Sequence, residues 1–88
     1  MGQLRNKALM KKVAMRIKSL RTAKKISQQQ FYFDTDIHIA RIEVGDQNIS
    51  ISTLSAICKY LDISMSEFLS GIQVWMFMSG LAIGTKSR

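Results

Sequence analysis

Apolar residues recur along most of this chain at the spacing of helix faces, and five helices followed by an apolar tail account for the pattern. Leu4, Ala8, Val13, Ile17 and Leu20 return every three to five residues, with Lys and Arg between them. That spacing predicts a first amphipathic helix ending near Thr22 or Ala23. Ser27-Gln28-Gln29-Gln30 has the form of a capping box, so a second helix starts there and carries Phe31 inward. Thr35 is the expected N-cap of a third helix, with Asp36 in its first turn, where a carboxylate favours the positive end of the helix dipole. Ile39 and Ile42 of this helix face the core, and Gly45 ends it in a left-handed cap. Ser50 opens a fourth helix whose inner face is Leu54, Ile57, Cys58 and Leu61. Ser64-Met65-Ser66-Glu67 is a second capping box, opening a short fifth helix through Phe68 and Leu69.

Composition narrows what such a helical domain can do. Eighty-eight residues make one domain, and one cysteine, Cys58, excludes a disulfide framework. A packed core must hold the chain, in a reducing intracellular setting. Residues 1–25 carry nine Lys or Arg and no acid, while the whole chain has a net charge of +7. A basic segment of this density suits a polyanion, most often nucleic acid or an anionic membrane surface. No uncharged apolar stretch follows Arg5, Lys7, Lys11 and Lys12, which argues against a secretory signal and for a cytoplasmic protein.

Several anchors occur together at a recognisable spacing: the Ser27-Gln28 helix start, the run Ile39-Ala40-Arg41-Ile42-Glu43-Val44-Gly45, and Ser50 with Thr53-Leu54 after it. Residues 13–69 resemble the phage-repressor-like (Cro/C1-type, XRE) helix-turn-helix family. The resemblance implies an all-α, five-helix repressor-like domain at 13–70; outside it, the residues themselves give a basic extension at 1–12 that is either an arm or the start of the first helix, and an apolar extension at 71–88. In that family the third helix enters the major groove and the start of the second lies on phosphate. The chain departs from the family pattern between Ser27 and Glu43, where it is shorter by about one helical turn. Tyr32-Phe33-Asp34 stands where a turn of small residues is usual, so either the second helix is cut short or the turn is rebuilt around the two aromatics.

Carried over position by position, the resemblance places Asp36, Ile37 and Arg41 where bases are read. The Arg41 guanidinium can span the O6 and N7 acceptors of guanine, Ile37 can meet a thymine methyl, and Asp36 can accept from a cytosine amine. Phosphate contacts fall to Lys24, Lys25, Gln28, Thr35, His38, Gln47 and Asn48. Family members often carry basic residues after the glycine; here Asp46 and Gln47 follow it, and the basic N-terminal segment is expected to compensate. Glu43 matches a family acid that pairs with an arginine near the end of the first helix, and Arg21 occupies that place.

Catalysis has little to stand on, with one His, one Cys, no glycine-rich phosphate loop and no paired carboxylates at a working spacing. No metal and no cofactor are expected, and no enzyme. The tail from Gly71 to Gly84 is apolar, yet a helix over Ile72 to Ile83 would span only roughly 18 Å, short of the ~30 Å hydrocarbon core, so no membrane span is expected. Val74, Trp75, Phe77 and Met78 are candidates for a homodimer contact, with packing back on the domain second and binding a different protein third. The chain therefore reads as a double-stranded DNA-binding transcriptional regulator acting as a dimer on a two-fold-related operator. The rivals are an antitoxin whose tail neutralises a partner protein and an adaptor that has lost DNA binding.

Overall fold

A computed structural model describes the backbone of residues 7–78 and the side chains of residues 7–72. The described residues form five helices and no strand: α1 (Lys7–Ala23), α2 (Gln28–Thr35), α3 (Ile39–Glu43), α4 (Ile51–Tyr60) and α5 (Met65–Met78). Each expected helix is present, although several boundaries and faces differ from those the sequence suggests.

In α1 the buried stripe is Met10, Ala14, Ile17 and Arg21. Those spacings of four, three and four keep one face turned inward. Ala8, expected inside, is exposed, Val13 and Leu20 are half-buried at its edge, and Leu4 lies outside the described residues. The stripe is rotated because α1 must bring Ala14 and Lys11 against Gly45, which closes α3. The end of α1 is a left-handed cap without glycine. Lys25 has φ 59°. Its N–H donates to the Thr22 carbonyl at 2.9 Å and the Ile26 N–H to the Arg21 carbonyl at 3.2 Å, the bond pair of a Schellman motif. Asp62 (φ 60°) closes α4 in the same way, with the Ile63 N–H on the Cys58 carbonyl at 3.0 Å.

Serine hydroxyls start three of the helices. Ser27 Oγ accepts from the Gln30 N–H at 3.0 Å, Ser50 Oγ from Thr53 at 3.1 Å and Ser64 Oγ from Glu67 at 3.0 Å. Each satisfies a backbone donor that the first turn leaves unpaired. The Gln30 amide does not return to Ser27 to complete the box; it donates to Asp34 Oδ1 at 2.9 Å.

The core is built from Phe31, Phe68, Ile17, Ile39, Ile57 and Leu61, all with under 2% of their surface exposed. Every helix contributes, and burial of each such side chain is worth about 1.5–3 kcal/mol. The Phe31 and Tyr60 rings meet edge to face at 4.7 Å, and the Tyr60 hydroxyl donates to Asp34 Oδ2, so the ends of α2 and α4 are joined. α3 packs on α1 and α2, and α5 on α1 and α4.

α5 is longer than the capping box suggests. It runs through Gly71 without a break, so the expected domain boundary at 70/71 falls inside one continuous helix. Gly71 leaves room for the Arg16 side chain of α1, since a Cβ built there would stand 2.3 Å from Arg16 Cζ. The Arg16 guanidinium crosses that gap, donates from Nε to the Phe68 carbonyl at 3.1 Å, and lies 5.6 Å above the Phe68 ring centre.

Candidate nucleic-acid interface

The connection between α2 and α3 is rebuilt in a way the sequence did not suggest. Thr35 is the last residue of α2 and not the cap of α3. Asp36 is the left-handed residue that ends α2 (φ 63°), its N–H donating to the Tyr32 carbonyl at 2.7 Å. Aspartate is one of the few residues besides glycine that visits this conformation readily. Thr35 Oγ1 donates to the Phe31 carbonyl at 2.7 Å and accepts from the Ile37 N–H at 3.1 Å, which fixes the turn from within. Tyr32, Phe33 and Asp34 lie inside α2, an uninterrupted helix of eight residues, and the turn follows them at Asp36. Beyond the turn, α3 is five residues long.

Such a short helix needs outside support to hold one orientation. Ile39 and Ile42 anchor its inner face in the core. Arg21 grips Glu43 with both arms, Nε to Oε2 at 2.7 Å and Nη2 to Oε1 at 2.9 Å, and its Nη1 donates to the Ile26 carbonyl at 2.7 Å. Gln28 Nε2 adds a bond to Glu43 Oε1 at 2.9 Å. The pair joins α3 to α1 and to the start of α2. Its side chains are nearly closed to water, 8% exposed for Arg21 and 4% for Glu43. Burial works against the charged form of Glu43, but the hydrogen bonds from Arg21 and Gln28 and the positive charges of Arg21 and Lys18 outweigh it, leaving the carboxyl below its ordinary value. The same hydrogen bond holds the Arg21 guanidinium above its ordinary value, against the opposing effect of its burial. At the C-terminal end Gly45 takes φ 90°, and a Cβ on it would stand 3.3 Å from Lys11 Cγ. The left-handed angle favours glycine, and the Lys11 side chain leaves little room for a Cβ.

The outward face of α3 therefore consists of Ala40 and Arg41, with Val44, 65% exposed, just beyond the last turn. Of the three residues expected to read bases, Arg41 stands on this face, Asp36 is exposed in the turn before it, and Ile37 is half-buried against the core. Lys24 and Lys25 are exposed at the end of α1, and Gln47 and Asn48 are exposed in the loop after Gly45. The Gln28 amide is engaged with Glu43, and the Thr35 hydroxyl is engaged within the turn. His38 precedes α3 without capping it. Its ring stacks on Tyr32 at 4.5 Å and 28° between planes. This stack, and the outward placement of Ala40 and Val44, escaped the sequence reading. The tolerance of aspartate for a left-handed backbone was the available signal, since placing Asp36 at the end of α2 moves the start of α3 to His38.

Basic side chains border this face. Lys7, Lys11 and Lys18 share one exposed stripe of α1, because steps of four and seven residues return to nearly the same side of a helix. Lys11 lies against Gly45, and the Lys18 charge is felt at Glu43, so the stripe runs alongside α3.

The family profile described as Helix-turn-helix matches residues 17–68, more than half of the chain. The chain belongs to the Cro/C1-type (XRE) helix-turn-helix family. No curated protein and no solved structure matches it. A helix-turn-helix regulator of this family binds double-stranded DNA, and the matched stretch contains α2, the turn, α3 and both partners of the Arg21–Glu43 pair. Among the described residues of this helix-turn-helix protein no three of His, Cys, Asp and Glu come together as a metal site, and no helix is long and apolar enough to cross a membrane. Cys58 is buried in the core. Burial pushes its thiol up, against a smaller opposite effect of the Arg16 charge, which makes it a poor nucleophile. The dimer candidates Val74, Trp75, Phe77 and Met78 belong to the last turns of α5, and their side chains lie outside the described residues.

Proposed function

We propose that this protein is a sequence-specific transcriptional regulator that binds a two-fold-related operator as a cytoplasmic homodimer. The supporting observation is the outward Arg41 on an α3 whose back is clamped by Glu43 to Arg21 and Gln28. A guanidinium presented from a fixed helix meets the two acceptors of guanine at little entropic cost. Val44 adds an apolar contact suited to a thymine methyl, and Asp36 stands over the base pair next to the start of α3. Ile37 supports the turn from behind. Lys24, Lys25, Gln47 and Asn48 hold phosphate, and the stripe Lys7, Lys11 and Lys18 takes over where Asp46 replaces the basic residue expected after Gly45.

Selection of bound fragments by the full-length chain, followed by titration over a salt series, tests this. A defined half-site should emerge, with log affinity falling by roughly 0.9 per log unit of salt for each phosphate neutralised. Enrichment of no sequence at low salt would refute the proposal.

The apolar run from Ile72 to Ile83 supports a protein contact, and a second copy of this chain is the partner that a two-fold operator calls for. An antitoxin-like or adaptor role, with the same run on a different protein, is the second reading. Light scattering over a concentration series separates them: a dimer of the purified chain supports the first, and a monomer that captures an unrelated chain supports the second.

A further inference from the structure

The Tyr32–His38 stack has no part in the core. Both residues are exposed, Tyr32 by 42%, and the pair joins the outer side of α2 to the residue immediately before α3. Stacked rings at this separation attract one another weakly beyond the area they cover. That is enough to favour one ring orientation for His38 and too little to explain the fold. Neither imidazole nitrogen has a hydrogen-bond partner among the described residues, and His38 does not cap α3. The ring is thus held by its face while its edge stays open. A neutral imidazole offers one donor and one acceptor on that edge, the combination that base edges in the major groove present in reverse.

Position gives this edge a use. α3 is short, and ahead of Ala40 and Arg41 it has no exposed first turn to reach a further base pair. His38 stands where such a turn would begin. A free side chain on this surface would lose rotamer freedom on binding, and the stack removes much of that loss beforehand.

We propose that His38 reads a base edge next to the pair read by Arg41, and that Tyr32, reaching across from α2, is the positioning residue that sets its ring. This rests on the proposal that α3 enters the major groove.

The test uses the full-length chain. Fragment selection first gives the preferred site for wild type. Binding to that site and to each single base-pair change is then measured for wild type, His38→Ala, Tyr32→Ala, Tyr32→Phe and the double alanine variant, with thermal melts as folding controls. His38→Ala should relax discrimination at one base pair per half-site by about tenfold or more. Tyr32→Ala should relax the same base pair, Tyr32→Phe should leave it intact, and the double variant should lose no more than His38→Ala alone. Discrimination that survives Tyr32→Ala overturns the proposal, as does a His38→Ala variant weakened equally on all sequences, which is the mark of a phosphate contact. If wild type enriches no sequence, the proposal falls together with the DNA-reading role of α3. If wild type enriches a site that His38→Ala still discriminates normally, the proposal falls alone.

Discussion

Replacing Glu43 by Ala should destabilise the domain by about 3–5 kcal/mol, because it strands the Arg21 guanidinium in a place where only 8% of its side-chain surface reaches water. An 88-residue domain has a total stability of only about 4–13 kcal/mol, so the loss is a large fraction of it. Two of the three Arg21 hydrogen bonds end on Glu43, leaving only the one to the Ile26 carbonyl. Urea unfolding followed by circular dichroism is the assay. With a slope of about 1 kcal/mol per molar urea for a chain of this size, the midpoint should fall by about 3 M or more. Two companion variants isolate the cause. Glu43→Gln keeps shape and some hydrogen bonding and should cost less. The double replacement Arg21→Met with Glu43→Leu removes both charges and should recover most of the lost stability, since burying an ion pair is itself expensive. The carboxyl also predicts a pH dependence. Its folded-state value lies below the ordinary 4.5, so its contribution is complete above about that value and is lost as the pH falls through the lower, folded-state value. Wild type should therefore lose stability on acidification below pH 4.5 more steeply than Glu43→Gln. A Glu43→Ala protein unfolding within 0.5 kcal/mol of wild type, roughly the scatter of surface substitutions, would refute the whole account.

Other expectations follow from particular contacts. Lys25→Gly should stabilise the fold by about 1 kcal/mol by relieving the left-handed φ of 59° at the end of α1, measured as a rise in melting temperature. Gly45→Ala should do the reverse, losing about 1–2 kcal/mol through its positive φ and the crowded Lys11 side chain. Gly71→Ala should displace the Arg16 guanidinium and remove its bond to the Phe68 carbonyl, and because alanine gains about 0.5–1 kcal/mol over glycine inside a helix the melting temperature should stay close to that of wild type. Arg41→Ala should relax specificity at one base pair by about 1–3 kcal/mol, whereas Lys24→Ala should weaken all sequences alike. Equal losses on every site for Arg41→Ala would remove it from the reading face.

The helices themselves were legible because each carries its own local signals: a serine cap before α2, α4 and α5, and apolar spacing in α1 and α4. The inner residues Phe31, Ile39, Ile42, Leu54, Ile57, Cys58 and Leu61 could be named for the same reason. The α2–α3 connection was misplaced because two local preferences compete there. Thr35-Asp36 makes a good helix start, and Asp36 equally makes a left-handed helix end; packing of Phe31 and Ile39 chooses the second, and no local pattern records that choice. The rotation of α1 was hidden for a similar reason, since Ala14 joins the buried stripe where Gly45 lies across from it. The Tyr32–His38 stack depends on the path of the turn between the two residues. It could not be anticipated once that turn was misplaced.

The brevity of α3 limits how much information one copy of this protein can take from DNA. A five-residue helix with two or three outward side chains distinguishes at most about three base pairs, and a match of that length arises by chance on the order of once in sixty positions. No genome-sized search can end on such a signal alone. Two reading helices held at a fixed separation multiply their odds, to about one position in several thousand, and each further contact beside α3 multiplies them again. In the proposed dimer, the residues that fix the spacing of the two copies would thus contribute as much to target choice as those that touch the bases.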